Sequence, residues 1–398
     1  MPRPLQSAHH APAASTGESA GAGSGEKQSS RRDRVGVEVR EVTASKQGAA
    51  PPPRRSVVIP NLNSPLLHRT LEALAAQGAP GADTEVLVVG RDAPGQVPRD
   101  GSVRFLETAE PVNPATARNL GVAAAGGRSY YFTDADCAPQ PGWLDHLERA
   151  LEGEDGTGNE GDSETPRVAG GAVLFPMKSS SMDSIPMGSS PMDSGPRDSG
   201  LWALADNIAS FHELLPDRPA ETSSEGPLGS LNLAVNAAGW SRVGPFDEEL
   251  TTSEDFDWVL RARAAGVPTA FVPEAIVEHA AVRENRAALE GHAAWYGRHF
   301  LDFCDRHPAL WGTGPTWASR RRLAATAGLK SWWSALQIFR RHPMLRSSWR
   351  TLPAVVLFKR AWYREVLASW RRREQGQEQE QRPPGQEQAQ KRDEAVPR

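Results

Sequence analysis

The stretch SYYFTDADCAPQPGW, residues 129–143, decides how this chain is read. An apolar run, Tyr130, Tyr131 and Phe132, drives straight into two carboxylates, Asp134 and Asp136. A strand that ends inside a core has no use for paired negative charge, because burying an unpaired carboxylate is very costly. Side chains two apart on an extended chain point the same way, so Asp134 and Asp136 converge on one object. That object is a cation or a pair of hydrogen-bond donors. Taken alone, the Asp-x-Asp also fits a helix cap followed by an exposed turn residue.

The flanking elements place this strand end. SVVIP (56–60) is a short, continuously apolar strand. Ser64 and Pro65 then supply a helix N-cap and a first-turn proline, with Leu67, Leu71 and Leu74 at helical spacing up to Gly78. EVLVVG (85–90) and VRFLE (103–107) are further strands, and Asn113–Pro114 opens another helix. After the strand ending at Asp134 come a helix in PGWLDHLERALEG and a strand in VAGGAVLFP (168–176). Apolar strands alternating with helices imply an α/β fold, a mostly parallel central sheet covered on both faces. Ligands of such sheets bind beyond the carboxyl ends of the strands, where Asp134 and Asp136 stand.

Composition divides the 398 residues unevenly. Residues 1–53 are Ala, Gly, Ser, Pro and charge without apolar periodicity, and residues 374–398 are Gln, Glu, Pro and Arg; both read as disordered tails. Between them a foldable region over 54–300 carries two low-complexity insertions, an acidic Gly-rich one at 152–166 and a Met/Ser/Asp/Pro one at 177–200. A basic, Trp-rich helical extension occupies 301–373. Two cysteines, Cys137 and Cys304, give neither a disulfide framework nor zinc spacing. With no secretory h-region and no apolar span, the expected compartment is the reducing cytoplasm.

Several stretches together resemble a family 2 glycosyltransferase of GT-A (Rossmann-like) fold. SVVIPNLNSPLLHRTLEALAAQ, EVLVVGRD, PATARNLGVAAAGG and YYFTDADCAPQPGWL resemble its first half; GSLNLAVNAAGWSRVGPFDEEL and SEDFDWVLRARAAGVPTAFVPEAIVEHA resemble its second. The resemblance covers roughly residues 55–300, and its specificity lies in the order and spacing of the motifs. It implies transfer of a sugar, with inversion, from a nucleoside-diphosphate donor to the hydroxyl of a saccharide or lipid-linked acceptor, in cell-envelope glycan synthesis. It implies Mg2+ or Mn2+ on Asp134 and Asp136, with His279 a candidate third ligand; an all-oxygen pair suits those ions better than zinc. Asp255 is implied as the base that takes the acceptor proton, with Glu254 beside it in the acceptor pocket. Without the resemblance, acids opening a helix capped by Ser253 would simply complement its dipole. Pro60, Asn63, Asp92, Arg118, Asp134 and Asn232 are the implied donor-binding residues. The chain departs from the family pattern in two places: Leu62 stands where an aromatic is common, and Gly90–Arg91 where paired acids are common, with Asp92 following.

Other classes fare less well. A nucleotidyltransferase would carry a Gly-rich phosphate loop with a basic residue after the first strand, and IPNLNSPLL has neither glycine nor lysine. A dinucleotide dehydrogenase lacks its G-x-G-x-x-G at the same place. A catalytically silent GT-A scaffold at the membrane surface is the alternative of a different kind. Residues 319–373 bear on it, holding fourteen Lys or Arg against one acid, Glu365, a surplus of thirteen in a chain of net charge −4. Arg and Trp interleaved with LPAVVLF suit an amphipathic element on an anionic membrane surface, giving a peripheral position at the inner face of the cell membrane. Packing of these helices onto the catalytic domain, with a solvated basic face, is the competing reading. No nucleic-acid module is present, so no nucleic-acid partner is expected.

Overall fold

The computed structural model describes residues 37–41, 52–153, 165–176, 200–221, 224–280, 282–308 and 319–380. Residues 154–164 and 177–199, most of the two insertions, and most of both tails lie outside the described residues. One sheet of nine strands organises what is described: β1 (Val39–Glu41), β2 (Arg55–Leu62), β3 (Thr84–Arg91), β4 (Arg104–Thr108), β5 (Ser129–Thr133), β6 (Cys137–Pro139), β7 (Val168–Leu174), β8 (Asn232–Asn236) and β9 (Thr269–His279). Their order is β1-β4-β3-β2-β5-β8-β7-β9-β6. The run β4-β3-β2-β5 is parallel, as the alternation of strands and helices predicts. Beyond β5 the sheet is mixed, because β8 runs antiparallel to both its neighbours while β7 and β9 are parallel.

Residues 39–41 lie inside the stretch read as a disordered tail, yet they pair antiparallel with β4 at the sheet edge. The pairing rests on the backbone ladder and on Glu41 accepting from Arg104 at 2.9 Å, which apolar periodicity does not reveal.

Both faces of the sheet are covered, which is why SVVIP reads as unbroken apolar. Val57 and Ile59 point into one core and Val58 into the other, following the two-residue strand period. Helices α1 (Leu67–Ala75), α3 (Trp143–Glu152) and α4 (Leu201–Phe211) cover the first face. Helices α2 (Pro114–Ala124), α5 (Ala237–Val243) and α6 (Glu254–Ala264) lie on the second, where Phe132, Trp240, Phe246 and Trp258 form one aromatic group with Trp240 stacked on Trp258. Gly121 lets α2 press onto β2, since a Cβ there would stand 2.3 Å from Val58.

The C-terminal part consists of α7 (Arg286–Arg306), α8 (Arg320–Arg341), a 3-10 segment (Pro343–Thr351) and α9 (Leu352–Glu380). Helix α7 crosses residue 300, and α9 continues past residue 373, so both expected boundaries fall inside helices. The stretch LPAVVLF is not a surface element. Leu352, Ala354, Val355, Val356 and Phe358 are buried, because α9 packs against α7 and α4. For this part of the extension, packing against α4 and α7 is the structural outcome.

Candidate active site

Helix α2 begins as its sequence dictates: Asn113 Oδ1 accepts the Thr116 N–H at 2.8 Å, and Pro114 occupies the first turn. One turn on, Arg118 is 2% exposed and reaches to the end of β5. Its Nη2 donates to Asp134 Oδ1 at 2.8 Å and its Nη1 to Glu254 Oε1 at 2.7 Å. One guanidinium thus ties the strand-end acids to the helix-start acids, which lie 120 positions apart in sequence. The protein packed around Asp134 pushes its carboxyl above the ordinary range although 35% of the side chain still meets solvent, and the Arg118 charge works against that rise. Glu254 is pushed up to about 7, first by burial and then by the Asp255 charge, with Arg118 again opposing.

Asp136 and His279 are brought together by β6, three residues whose pairing no periodicity signals. Cys137 lies opposite His279 in the antiparallel β6–β9 ladder, and the Ala280 N–H donates to the Asp136 carbonyl at 3.0 Å. Asp136 Oδ2 stands 3.7 Å from His279 Nε2. The Phe211 ring packs on the imidazole, centroids 4.6 Å apart, while Nδ1 is buried without a partner. Among the described residues no group of three His, Cys, Asp or Glu side chains forms a complete cation site. A carboxylate and an imidazole with Asp134 close by nevertheless fit a hard divalent ion that takes its remaining ligands from water and phosphate oxygens.

Asp255 is held by the loop before β8. Its Oδ2 accepts the Ser230 N–H at 3.0 Å and Oγ–H at 3.3 Å, and its Oδ1 accepts the Phe256 N–H at 2.8 Å. Ser253 does not cap α6 with its side chain as the sequence suggests. Its backbone is left-handed at φ 64°, which turns the hydroxyl toward Thr252, 3.1 Å away. That conformation is uncommon outside glycine and costs of order 1 kcal/mol, so the turn that presents Glu254 and Asp255 is held by its surroundings.

Behind these acids lies a group that sequence reasoning missed. Burial pushes the phenol of Tyr296 in α7 up, the charges of Asp255 and Glu254 push the same way, and its ring packs edge-on to His292, centroids 4.7 Å apart. Asp206 of α4, 1% exposed, accepts from Arg283 at 3.2 Å and contacts His292 Nδ1 at 2.8 Å. Asp206 sits inside the apolar LWALADNIASF, and an acid in so apolar a helix was the available signal.

The remaining donor-binding candidates shape the cleft or leave it. Pro60 is a half-buried residue of β2. Asn63, at φ 57°, accepts the Ala93 N–H at 2.7 Å and ties the end of β2 to the following loop. Asp92 accepts from the N–H groups of Gln96 and Val97 at 3.0 and 2.8 Å, so both its oxygens are engaged in their own loop. Gly90 stands where an acid is common because a Cβ there would meet the Asn61 carbonyl at 2.2 Å. Asn232 is a correction. It is 1% exposed, donates to the carbonyls of Ala172 and Ala275 at 2.8 Å each, and accepts from Trp143 Nε1 at 2.7 Å. Its amide is consumed in locking β7, β8, β9 and α3 together, leaving nothing for a donor.

Residues 56–159, from β2 through α3 and including Asp134 and Asp136, match the model of Glycosyl transferase family 2. This segment is a family 2 glycosyltransferase domain. The acids lie beyond the end of β5 in a mixed α/β sheet. The family match ends before Glu254, Asp255 and His279. Glycosyltransferase AglE of Haloferax volcanii is 27% identical over 235 residues, covering 57% of this chain and 66% of its own. The chain thus spans just under two thirds of that curated relative. Among solved structures, the mannosyltransferase PcManGT from Pyrobaculum calidifontis, in complex with GDP-Man and Mn2+, is 18% identical with a TM-score of 0.46, covering 81% of this chain and 90% of that one. GalNAc-T7 with UDP, GalNAc and Mn2+ is 16% identical with a TM-score of 0.39, covering 62% and 48%.

Proposed function

We propose that the glycosyltransferase domain moves a sugar from a nucleoside-diphosphate donor to an acceptor hydroxyl, with inversion at the anomeric carbon. The observation that supports this is the Arg118 bridge, which joins Asp134 to Glu254, the neighbour of Asp255. Asp255, oriented by Ser230, takes the proton of the acceptor hydroxyl. The freed oxygen pair forms the new bond to the anomeric carbon while the bond to the diphosphate breaks and its electron pair leaves with the phosphate. A carboxylate fixed by three hydrogen bonds needs reach more than an unusual pKa to do this. Glu254, buried and paired, positions Arg118 and sets the charge beside Asp255.

A divalent ion, Mg2+ or Mn2+, held by Asp136 and His279 with Asp134 adjacent, would neutralise charge developing on the departing diphosphate. Arg118 holds Asp134 so that its second oxygen stays available to the donor or the ion. The acceptor is a saccharide or a lipid-linked saccharide.

Calorimetric titration of UDP, GDP and dTDP with manganese, followed by EDTA, tests the reading. One nucleotide should bind, and EDTA should abolish the binding. Failure of all three to bind in the presence of manganese would overturn it.

A further inference from the structure

With LPAVVLF buried, the apolar surface of the extension lies elsewhere. Leu329, Trp332, Trp333 and Leu336 recur at helical spacing on α8 and are 77%, 51%, 61% and 39% exposed. Trp349 of the 3-10 segment, which packs against α8, is 64% exposed. Among the described residues nothing covers this stripe. Its polar border is cationic, with Arg321 and Arg322 exposed at the start of α8, Arg340 and Arg341 at its end, and Arg346 and Arg350 flanking Trp349. No acid other than Glu365 occurs between residues 319 and 373, and Glu365 lies on α9. No helix among the described residues is long and apolar enough to cross a membrane.

We propose that α8 lies flat on an anionic lipid surface, with Leu329, Trp332, Trp333, Leu336 and Trp349 entering the headgroup boundary and the flanking arginines engaging the lipid charges. Tryptophan suits that boundary because its ring is apolar and its N–H needs a wet partner. A basic border around an apolar stripe distinguishes this occupant from a second copy of the chain, whose matching stripe would bring the same arginines face to face. The route from this surface to the cleft is short. His342, which closes α8, contacts Asp217 at 2.8 Å and lies 6.1 Å from the His212 ring. His212 follows Phe211, the residue packed on His279. Docking through α8 therefore holds the cleft near the membrane plane, where a lipid-linked acceptor would be found.

The test is co-sedimentation of the full chain with vesicles of phosphatidylcholine alone or with roughly a third phosphatidylglycerol, in dilute and concentrated salt. The protein should sediment only with the anionic vesicles and be released by salt. The double variant Trp332→Ala/Trp333→Ala and the double variant Arg340→Glu/Arg341→Glu should each weaken binding at least tenfold at an unchanged melting temperature. No sedimentation with anionic vesicles, or sedimentation that neither variant weakens, overturns the proposal. So does a concentration-dependent dimer, broken by the tryptophan variant, in a protein that ignores vesicles. The readout needs neither nucleotide nor acceptor, so its failure leaves the transfer reading intact.

Discussion

Asp134 and Asp136 end a strand and keep 35% and 30% of their side chains open to solvent, whereas Glu254, opening a helix across the cleft, keeps 10%. Arg118 touches one member of each pair, so the same cation stabilises an open carboxylate and a buried one. The difference separates their work. The open acids can exchange water for a ligand, while the buried acid can only set the charge and position of its neighbours. Acids at a helix start look alike in sequence; burial is what separates Glu254 from Asp255, and under the proposed reaction it suits Glu254 to positioning and Asp255 to proton transfer.

Removing the shared cation should be the most damaging way to break this contrast. Arg118→Leu leaves Asp134 and Glu254 without their partner and should cost about 3–5 kcal/mol in chemical denaturation, as the loss of one member of a buried ion pair does. Arg118→Lys, which cannot reach both acids with a planar fork, should recover only part of this. Asp255→Asn should lower the transfer rate by roughly 10²–10⁴-fold while donor affinity stays within about twofold, read by steady-state kinetics beside calorimetry. Loss of donor binding instead would show that Asp255 is not the base.

The pH response sharpens the comparison further. The folded chain holds the Glu254 proton more tightly than the unfolded chain, with a pKa of about 7 against an ordinary 4.5. Its contribution is therefore complete below pH 4.5 and is lost as pH rises through 7. Glu254→Gln should remove up to about 3 kcal/mol of that pH dependence, measured as the difference between the two stability–pH curves. Identical curves would mean that Glu254 titrates as an ordinary carboxylate. The smallest expected effect belongs to the open pair. Asp136→Ala should weaken manganese-dependent donor binding by about tenfold, close to 1.4 kcal/mol, with little change in stability.

Much of this was legible from the chain alone, for definite reasons. Strands β2, β3 and β5 are buried on both faces, so they appear as unbroken apolar runs, and Asn113–Pro114 marks the start of α2 through its own backbone chemistry. What stayed hidden depended on tertiary partners. Strand β6 is three residues, CAP, too short for any period. Asn232 looks like a cleft residue because it is polar and precedes the acids, yet Trp143 and two carbonyls claim its amide. The extension misled in a similar way. LPAVVLF and the stripe Leu329–Leu336 are both apolar amid arginines, and only the packing of α9 onto α4 and α7 shows which is buried. Arg118 has no pattern in sequence that foretells its partners; only the fold closes Asp134 and Glu254 around it.

The β6–β9 ladder carries one further consequence. Asp136 and His279 are held in register by the β6–β9 ladder, and β9 is fixed in turn by its pairing with β7 and by the Asn232 amide. Chain added between the packed elements, and outside their paired residues, leaves that register unchanged. A one-residue slip of β9 against β6 would instead turn His279 to the opposite face of the sheet. The architecture is permissive to insertion between its elements and intolerant of a single deletion within them.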